Sequence, residues 1–292
     1  SSDSIKKKYG QDIIDKFYAW EKKVGGKFYG FIDKIQPGSY SDDTQLMLSV
    51  ARSIKEDGSV NNNYFAKDEL ANWIYYSRGG GRTIKKASLK ISRKKIKWYN
   101  NFFDFRIGKD IIDYRDSGAN GAAMRILPIA LANIGNVDKI LIEVLCNSII
   151  THGHPRAHLG AMIYAYAINQ IIMYTPENFN PENFIIQIGK GFIEKFTINI
   201  HEKEELVFWL NEWNSFSKIK YEENYRSVLI ETQNQLRMLY KSFKQEKTIL
   251  STLNELGCYN NLNKGSGVAT VLAAIYLVCK LSKSPISCIV EA

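Results

Sequence analysis

The chain of 292 residues sets 39 Lys and Arg against 30 Asp and Glu, a net charge of +9, and 45% of its residues are apolar. That is a globular composition able to bury a sizeable core, and no run approaches the ~20 apolar residues of a membrane helix. The N-terminus has no apolar signal-peptide core, so a cytoplasmic protein without membrane contact is expected. Cys146, Cys258, Cys279 and Cys288 show no CxxC or Cys/His ligand spacing, which predicts free thiols and no zinc.

Taken in order, Ile13, Ile14, Phe17, Tyr18 and Trp20 recur at helical spacing and predict an amphipathic helix over Ile5 to Val24, ended by Gly25-Gly26. A Pro37-Gly38 turn then leads to Ser41-Asp42-Asp43-Thr44, where a helix through Leu46, Met47, Leu48, Val50 and Ala51 should begin. Ser41 suits the N-cap. Asp42 and Asp43 either offset the helix dipole or, with the hydroxyl, supply the hard oxygens that Mg²⁺ prefers; an Asp can also act as a general base. Glu56 to Asn63 reads as a loop and Tyr64 to Tyr76 as a helix. Gly79-Gly80-Gly81 reads as a C-cap and hinge rather than a phosphate cradle. From Arg82 to Trp98 the chain carries Arg82, Lys85, Lys86, Lys90, Arg93, Lys94, Lys95 and Lys97 with no acid. The preferred reading is a solvated helix face with Ile84, Leu89, Ile91 and Ile96 partly buried; the sharper one is a site for a polyanion such as nucleic acid.

Small residues from Ser117 to Ile126 precede an apolar helix through Ile129, Ala130, Leu131 and Ile134. They suit a tight turn, or exposed amides that bind an anion. Leu141 to Ile150 is again helical and leads into Thr151-His152-Gly153-His154-Pro155-Arg156-Ala157-His158, ahead of a helix from Leu159 to Tyr174. Histidines clustered in this way can serve a metal, acid-base chemistry, a ligand phosphate or ribose, or capping. Pro176 and Pro181 mark a loop. Helices follow from Phe184, from His201 and from Tyr221 through Tyr240, with Trp209, Trp213 and Phe216 as core. Gly265-Ser266-Gly267 opens a buried helix from Val268 to Cys279, and Pro285 starts a last short one. With no strand alternation and no fixed repeat, the chain is predicted to be one all-α domain over residues 1–292.

SDDT, GANGAAMRI and THGHP, each opening a helix and in this order, resemble the ADP-ribosylglycohydrolase family, of the dinitrogenase-reductase-activating kind. The resemblance covers roughly Gly38 to Ala292. It implies an all-α fold whose cleft hydrolyses the N- or O-glycosidic bond between ADP-ribose and an acceptor on protein or nucleic acid, with two Mg²⁺ or Mn²⁺ ions. On this resemblance Ser41, Asp42 and Asp43 are metal ligands, and Asp42 or Asp43 positions a metal-activated water or the ribose hydroxyls. Gly118, Asn120, Gly121 and Met124 would hold ribose and diphosphate, His152, Gly153 and His154 lie beside them, and Gly265, Ser266 and Gly267 form the adenosine side. His152 would contact the diphosphate as a cation, so that affinity declines as pH rises through ~6.5. The family's first Gly-Asp-rich helix and its closing Asp-x-Asp-Thr helix, which bring further metal ligands, are not evident. The chain is therefore expected either to be trimmed at both ends or to hold half a metal site, and the alternative function is an ADP-ribose-binding module that does not cleave.

Overall fold

Small and apolar side chains cover most of the surface of the segment Pro155–Ile171, and a helix that is apolar nearly all round has to be buried. The computed structural model describes residues 2–11, 14, 16–24, 30–197, 202–260 and 263–291. Its helices are α1 (Ser2–Tyr9), α2 (Asp42–Arg52), α3 (Asn62–Tyr64), α4 (Ala71–Trp73), α5 (Arg82–Ile91), α6 (Leu127–Ala132) and α7 (Val137–Ile149), followed by α8 (Pro155–Ile171), α9 (Pro181–Lys195), α10 (Glu204–Ser215), α11 (Tyr221–Lys244), α12 (Ile249–Glu255), α13 (Gly267–Lys280) and α14 (Pro285–Glu291). A π-helical turn, Phe65–Leu70, joins α3 to α4. The architecture is all-α with two appended hairpins, β1 (Trp20–Val24) with β2 (Phe31–Ile35) and β3 (Asp104–Ile107) with β4 (Asp110–Asp113), both antiparallel. Among the described residues no helix is long and apolar enough to cross a membrane.

Helix α8 is the axis of the core. Leu159, Met162 and Ile163 on it are fully buried, and α6, α7, α9, α11 and α13 pack around it. Each such side chain contributes about 1.5 to 3 kcal/mol on burial. The tightest crossing is with α13, where a Cβ placed on Gly160 would sit 2.3 Å from the Gly267 carbonyl carbon. Two glycines thus bring the first turns of α8 and α13, and the loops that feed them, into backbone contact. As expected, the helix opened by Gly265-Ser266-Gly267 is buried along most of its length, and the free thiols of Cys146 and Cys279 lie in the core.

Several expectations are corrected. The first helix ends at Tyr9 because Gly10, at φ +72°, returns its amide to the Lys6 carbonyl, a glycine cap. Trp20–Val24 is then a strand, not a helix end, while Ile13 and Gly25-Gly26 lie outside the described residues. The helix expected from Tyr64 starts at Asn62, since the Asn61 side chain accepts from the Tyr64 amide at 3.0 Å. His201 lies outside the described residues, and the helix near it begins at Glu204. Trp209 and Trp213 are core, but Phe216 falls past the end of α10 and is 75% exposed. On α5 the buried stripe is Ile84, Ala87, Ser88 and Ile91, so Leu89 points outward.

Replacing Gly160 by Ala should force α8 and α13 apart, because backbone rather than a flexible side chain occupies the space. A loss of about 2 to 3 kcal/mol is expected from such overpacking. Urea unfolding of the variant at the parental midpoint would contradict the crossing described here.

Candidate functional site

The acidic pair sits where the sequence suggests, at the start of α2. Ser41 takes the extended N-cap conformation, but its hydroxyl makes no capping bond; it donates instead to Asp43 Oδ2 at 3.1 Å. Asp42 is enclosed by the segment 76–80. Its amide donates to the Arg78 carbonyl at 3.2 Å, and a Cβ on Gly79 would lie 2.2 Å from its Oδ1. The triglycine is therefore not a C-cap, since α4 ends at Trp73. It is the wall of the Asp42 carboxylate, with Gly79 at φ +130° and Gly81 capping α5. Gln45 holds that wall: its Nε2 donates to the Tyr76 carbonyl at 3.0 Å, and its Oε1 accepts from the Arg78 amide at 2.9 Å and Trp73 Nε1 at 3.2 Å. Burial, then the neighbouring Asp43, raises the Asp42 pKa, while its own amide, the Gly80 amide and Lys85 pull it back.

Nearby, three turns meet. The Asn120 amide donates to the Gly265 carbonyl and the Gly267 amide to the Gly118 carbonyl, both at 2.9 Å, and Ala119 pairs antiparallel with Ser266. The His154 amide reaches the Ser117 carbonyl at 3.4 Å. Between these turns and the β3–β4 hairpin lies a cavity of about 600 Å³. Gly118, His154, Gly265 and Ser266 line it, joined by Ser117, Asp116, Arg156, Lys264 and the apolar wall of Phe105, Ile107 and Ile112. The Ser117 hydroxyl is buried there without a hydrogen-bond partner, so it is a donor left for a ligand. Neither Asp42 nor Asp43 lines this cavity. The start of α5 stands between them, with Thr83 on the cavity and Lys85 acting on Asp42.

The other expected residues lie beneath. Gly121 is buried against Ile84 and the His152 ring, Met124 packs on the core, and Gly153 is wedged against Tyr114 with its carbonyl accepting from Trp213 Nε1 at 2.9 Å. Gly267 is the buried partner of Gly160. His152 is 1% exposed, bonded through Nδ1 to the Thr151 hydroxyl at 2.7 Å. Its pKa is held well below the usual imidazole value by burial first, then by Arg125 and His158. It is therefore neutral near pH 6.5, which corrects the expected cationic contact and its pH dependence. His158 is fully buried. Its Nε2 can only donate to the His152 carbonyl, at 2.7 Å, so Nδ1 accepts from the Tyr221 hydroxyl at 2.8 Å. His154 caps α8, Nδ1 accepting from the Arg156 amide at 3.1 Å, which leaves Nε2–H as the donor for the cavity.

Arg125 is the residue that motif reading passes over. Fully buried, it donates to Asn147 Oδ1, the Asn147 carbonyl, the Gly121 carbonyl and Thr151 Oγ1, all at 2.8 to 2.9 Å.

A family model for ADP-ribosylglycohydrolase matches residues 1–292. The chain belongs to the ADP-ribosylglycohydrolase family. It is 27% identical over 162 residues to the ADP-ribosyl-dinitrogen reductase glycohydrolase of Rhodospirillum rubrum, a stretch that is 55% of this chain and 49% of that relative. It is 25% identical over 191 residues to the ADP-ribosylhydrolase ARH3 of Xenopus tropicalis, covering 62% of this chain and 51% of that one. The chain spans about half the length of the curated relatives it matches.

For the metal that this family implies, the donors here fit in kind, since a hydroxyl and two carboxylates at a helix start are hard oxygens. They fall short in number. Among the described residues no group of three or more His, Cys, Asp or Glu could hold a metal ion.

Burial puts both His154 and His158 at about 4, with Arg156 adding to the first and His154 to the second. The unfolded chain, with imidazoles near ~6.5, then binds more protons than the folded one between those values, so stability is full above ~6.5 and is lost as pH falls toward 4. Each imidazole contributes up to about 1.4 kcal/mol per pH unit in that window. Urea midpoints should drop between pH 7 and pH 5, and His154→Asn, which keeps a cap, should flatten the slope. A constant midpoint across that range would refute the assignment.

Proposed function

We propose that this chain is a hydrolase that removes ADP-ribose from a modified macromolecule by cleaving its glycosidic bond. The observation that carries the reading is the meeting of three turns on one cavity that holds an unpartnered buried hydroxyl, Ser117, with the start of α5 bordering both that cavity, through Thr83, and the carboxylate pair, through Lys85. The names of the relatives support it.

On this reading the diphosphate lies against Arg156, Lys264 and the neutral His154 Nε2–H, with Ser117 as a further donor, and the base rests on the Phe105, Ile107 and Ile112 wall. Asp116 is placed to accept from ribose hydroxyls. The scissile bond faces Asp42 and Asp43. As the acceptor departs, the ribosyl centre becomes cation-like, and a carboxylate held in place by the Gly80 amide stabilises that charge without reorganising. Asp42, raised by burial and by Asp43, can take the proton of the attacking water. A Mg²⁺ or Mn²⁺ ion held by Ser41, Asp42 and Asp43, when bound, would supply Lewis-acid polarisation and orient the sugar oxygens.

The test is release of ADP-ribose from an ADP-ribosylated protein, with and without Mg²⁺. Asp42→Ala with Asp43→Ala should lower turnover at least ~100-fold, the scale of losing a positioned base, while ADP-ribose still binds by calorimetry. Parental turnover in that variant would overturn the roles given to the pair. Binding of ADP-ribose by the parent with no product would leave the non-cleaving module instead. Asp43→Asn should move the acidic limb of the activity profile to lower pH, since it removes one of the two causes that raise Asp42.

A further inference from the structure

The basic segment after the triglycine plays no part in the mechanism above, apart from Thr83 and Lys85. On α5 the buried residues Ile84, Ala87, Ser88 and Ile91 share one face, and Arg82 and Lys86 stand exposed on the other. Past the helix, Arg93, Lys94, Lys95 and Lys97 continue the exposed row. Lys67 pins this turn by donating to the carbonyls of Ile91 and Arg93 at 2.8 and 2.9 Å, so the cations stand on an ordered scaffold. Among the described residues none of the cations from Arg82 to Lys97 lies in a salt bridge, although the ion pairs elsewhere include Arg52 with Glu69 and Arg156 with Glu231. Repulsion is felt locally: after burial, Lys85 is the next cause lowering Lys22. Such a row is a standing electrostatic cost that an opposite charge would relieve.

The row starts close to the acidic pair, where Lys85 acts on Asp42, and an exposed tyrosine belongs to each of the two segments that enclose that pair, one just before Ser41 and one just before the Tyr76 carbonyl held by Gln45. Tyr40 is 50% exposed and Tyr75 77%. The Arg78 guanidinium lies 5.4 Å over the Tyr40 ring. Cations tracking a backbone, with rings beside them for bases to stack on, are how proteins hold single-stranded nucleic acid. An acidic peptide would neutralise the charge but make no use of the rings, and a duplex hides the faces of its bases.

We infer that the face running from Tyr40 and Tyr75 along Arg82, Lys86, Arg93 and Lys94 binds single-stranded nucleic acid and leads it to the acidic pair. That the strand is the acceptor bearing ADP-ribose rests on the hydrolase reading; that it binds does not.

The probe is a fluorescein-labelled, unmodified single-stranded DNA followed by anisotropy. Affinity should fall with salt at a log–log slope of about −3, as for four phosphates at ~0.7 each. The triple variant Lys86→Glu, Arg93→Glu, Lys94→Glu should lose at least ~10-fold, the loss of several phosphate contacts, while its calorimetric affinity for ADP-ribose stays parental. Tyr75→Ala should lose ~5-fold or more on the strand and little on a duplex. A flat salt response, a triple variant that binds as the parent does, or equal binding of duplex or of polyglutamate would overturn the inference. Strand binding as described in a chain that releases no ADP-ribose from any substrate would uphold the surface and sink only the hydrolase reading.

Discussion

A guanidinium buried without a carboxylate is the constraint on which the site depends. Taking the Arg125 charge out of water costs several kcal/mol, and burial lowers its pKa to about 9, so it remains charged at neutral pH. What offsets that cost is a set of four hydrogen bonds to neutral acceptors drawn from three segments: the Gly121 carbonyl in the first turn, Asn147 on α7, and Thr151 at the mouth of the second turn, with the Phe65 ring 5.2 Å away. Any drift of one segment would strand a charge. The two turns are therefore locked together from below, and the third follows through the Gly160–Gly267 crossing. The same positive charge helps to keep His152 neutral, so the residues under the cavity are a scaffold of fixed hydrogen bonds rather than a reservoir of charge.

The acidic pair is built by a different device. Here a carboxylate is crowded: residues without side chains let the backbone close over Asp42, and the Gln45 side chain holds that backbone through the Tyr76 carbonyl and the Arg78 amide while also accepting from the Trp73 indole. The result is a carboxyl group whose pKa burial raises and neighbouring amides pull back.

Much of this was legible in the sequence, for a physical reason. Helix starts announce themselves through caps, glycines and prolines, so the turns at Ser41, Ser117, His152 and Gly265 and the helical class could all be read from local chemistry. What could not be read depends on neighbours remote in the chain. Nothing local says that Arg125 is buried, since arginines seldom are, or that Gln45 faces Trp73 and not solvent. The histidine cluster is visible, but the burial of His158 comes from Trp209 and Tyr221 on other helices. The hairpins are not legible because strands of four or five residues are too short to show alternation, and Gly10 does not read as a stop because the apolar spacing beyond it continues to look helical.

The hairpin of β3 and β4 has a place unlike that of any other wall of the cavity. Phe105, Ile107 and Ile112 line the pocket from a two-stranded ribbon appended to the helical core, with Ile107 40% exposed and its neighbours at the tip open to water. The turns forming most of the rest of the pocket cannot change without disturbing the α8–α13 crossing that holds them. The ribbon can. It is the natural graft point of this scaffold, the part through which related chains could acquire a different ligand preference, or an engineer install one, while the helical frame that carries the acids stays as it is.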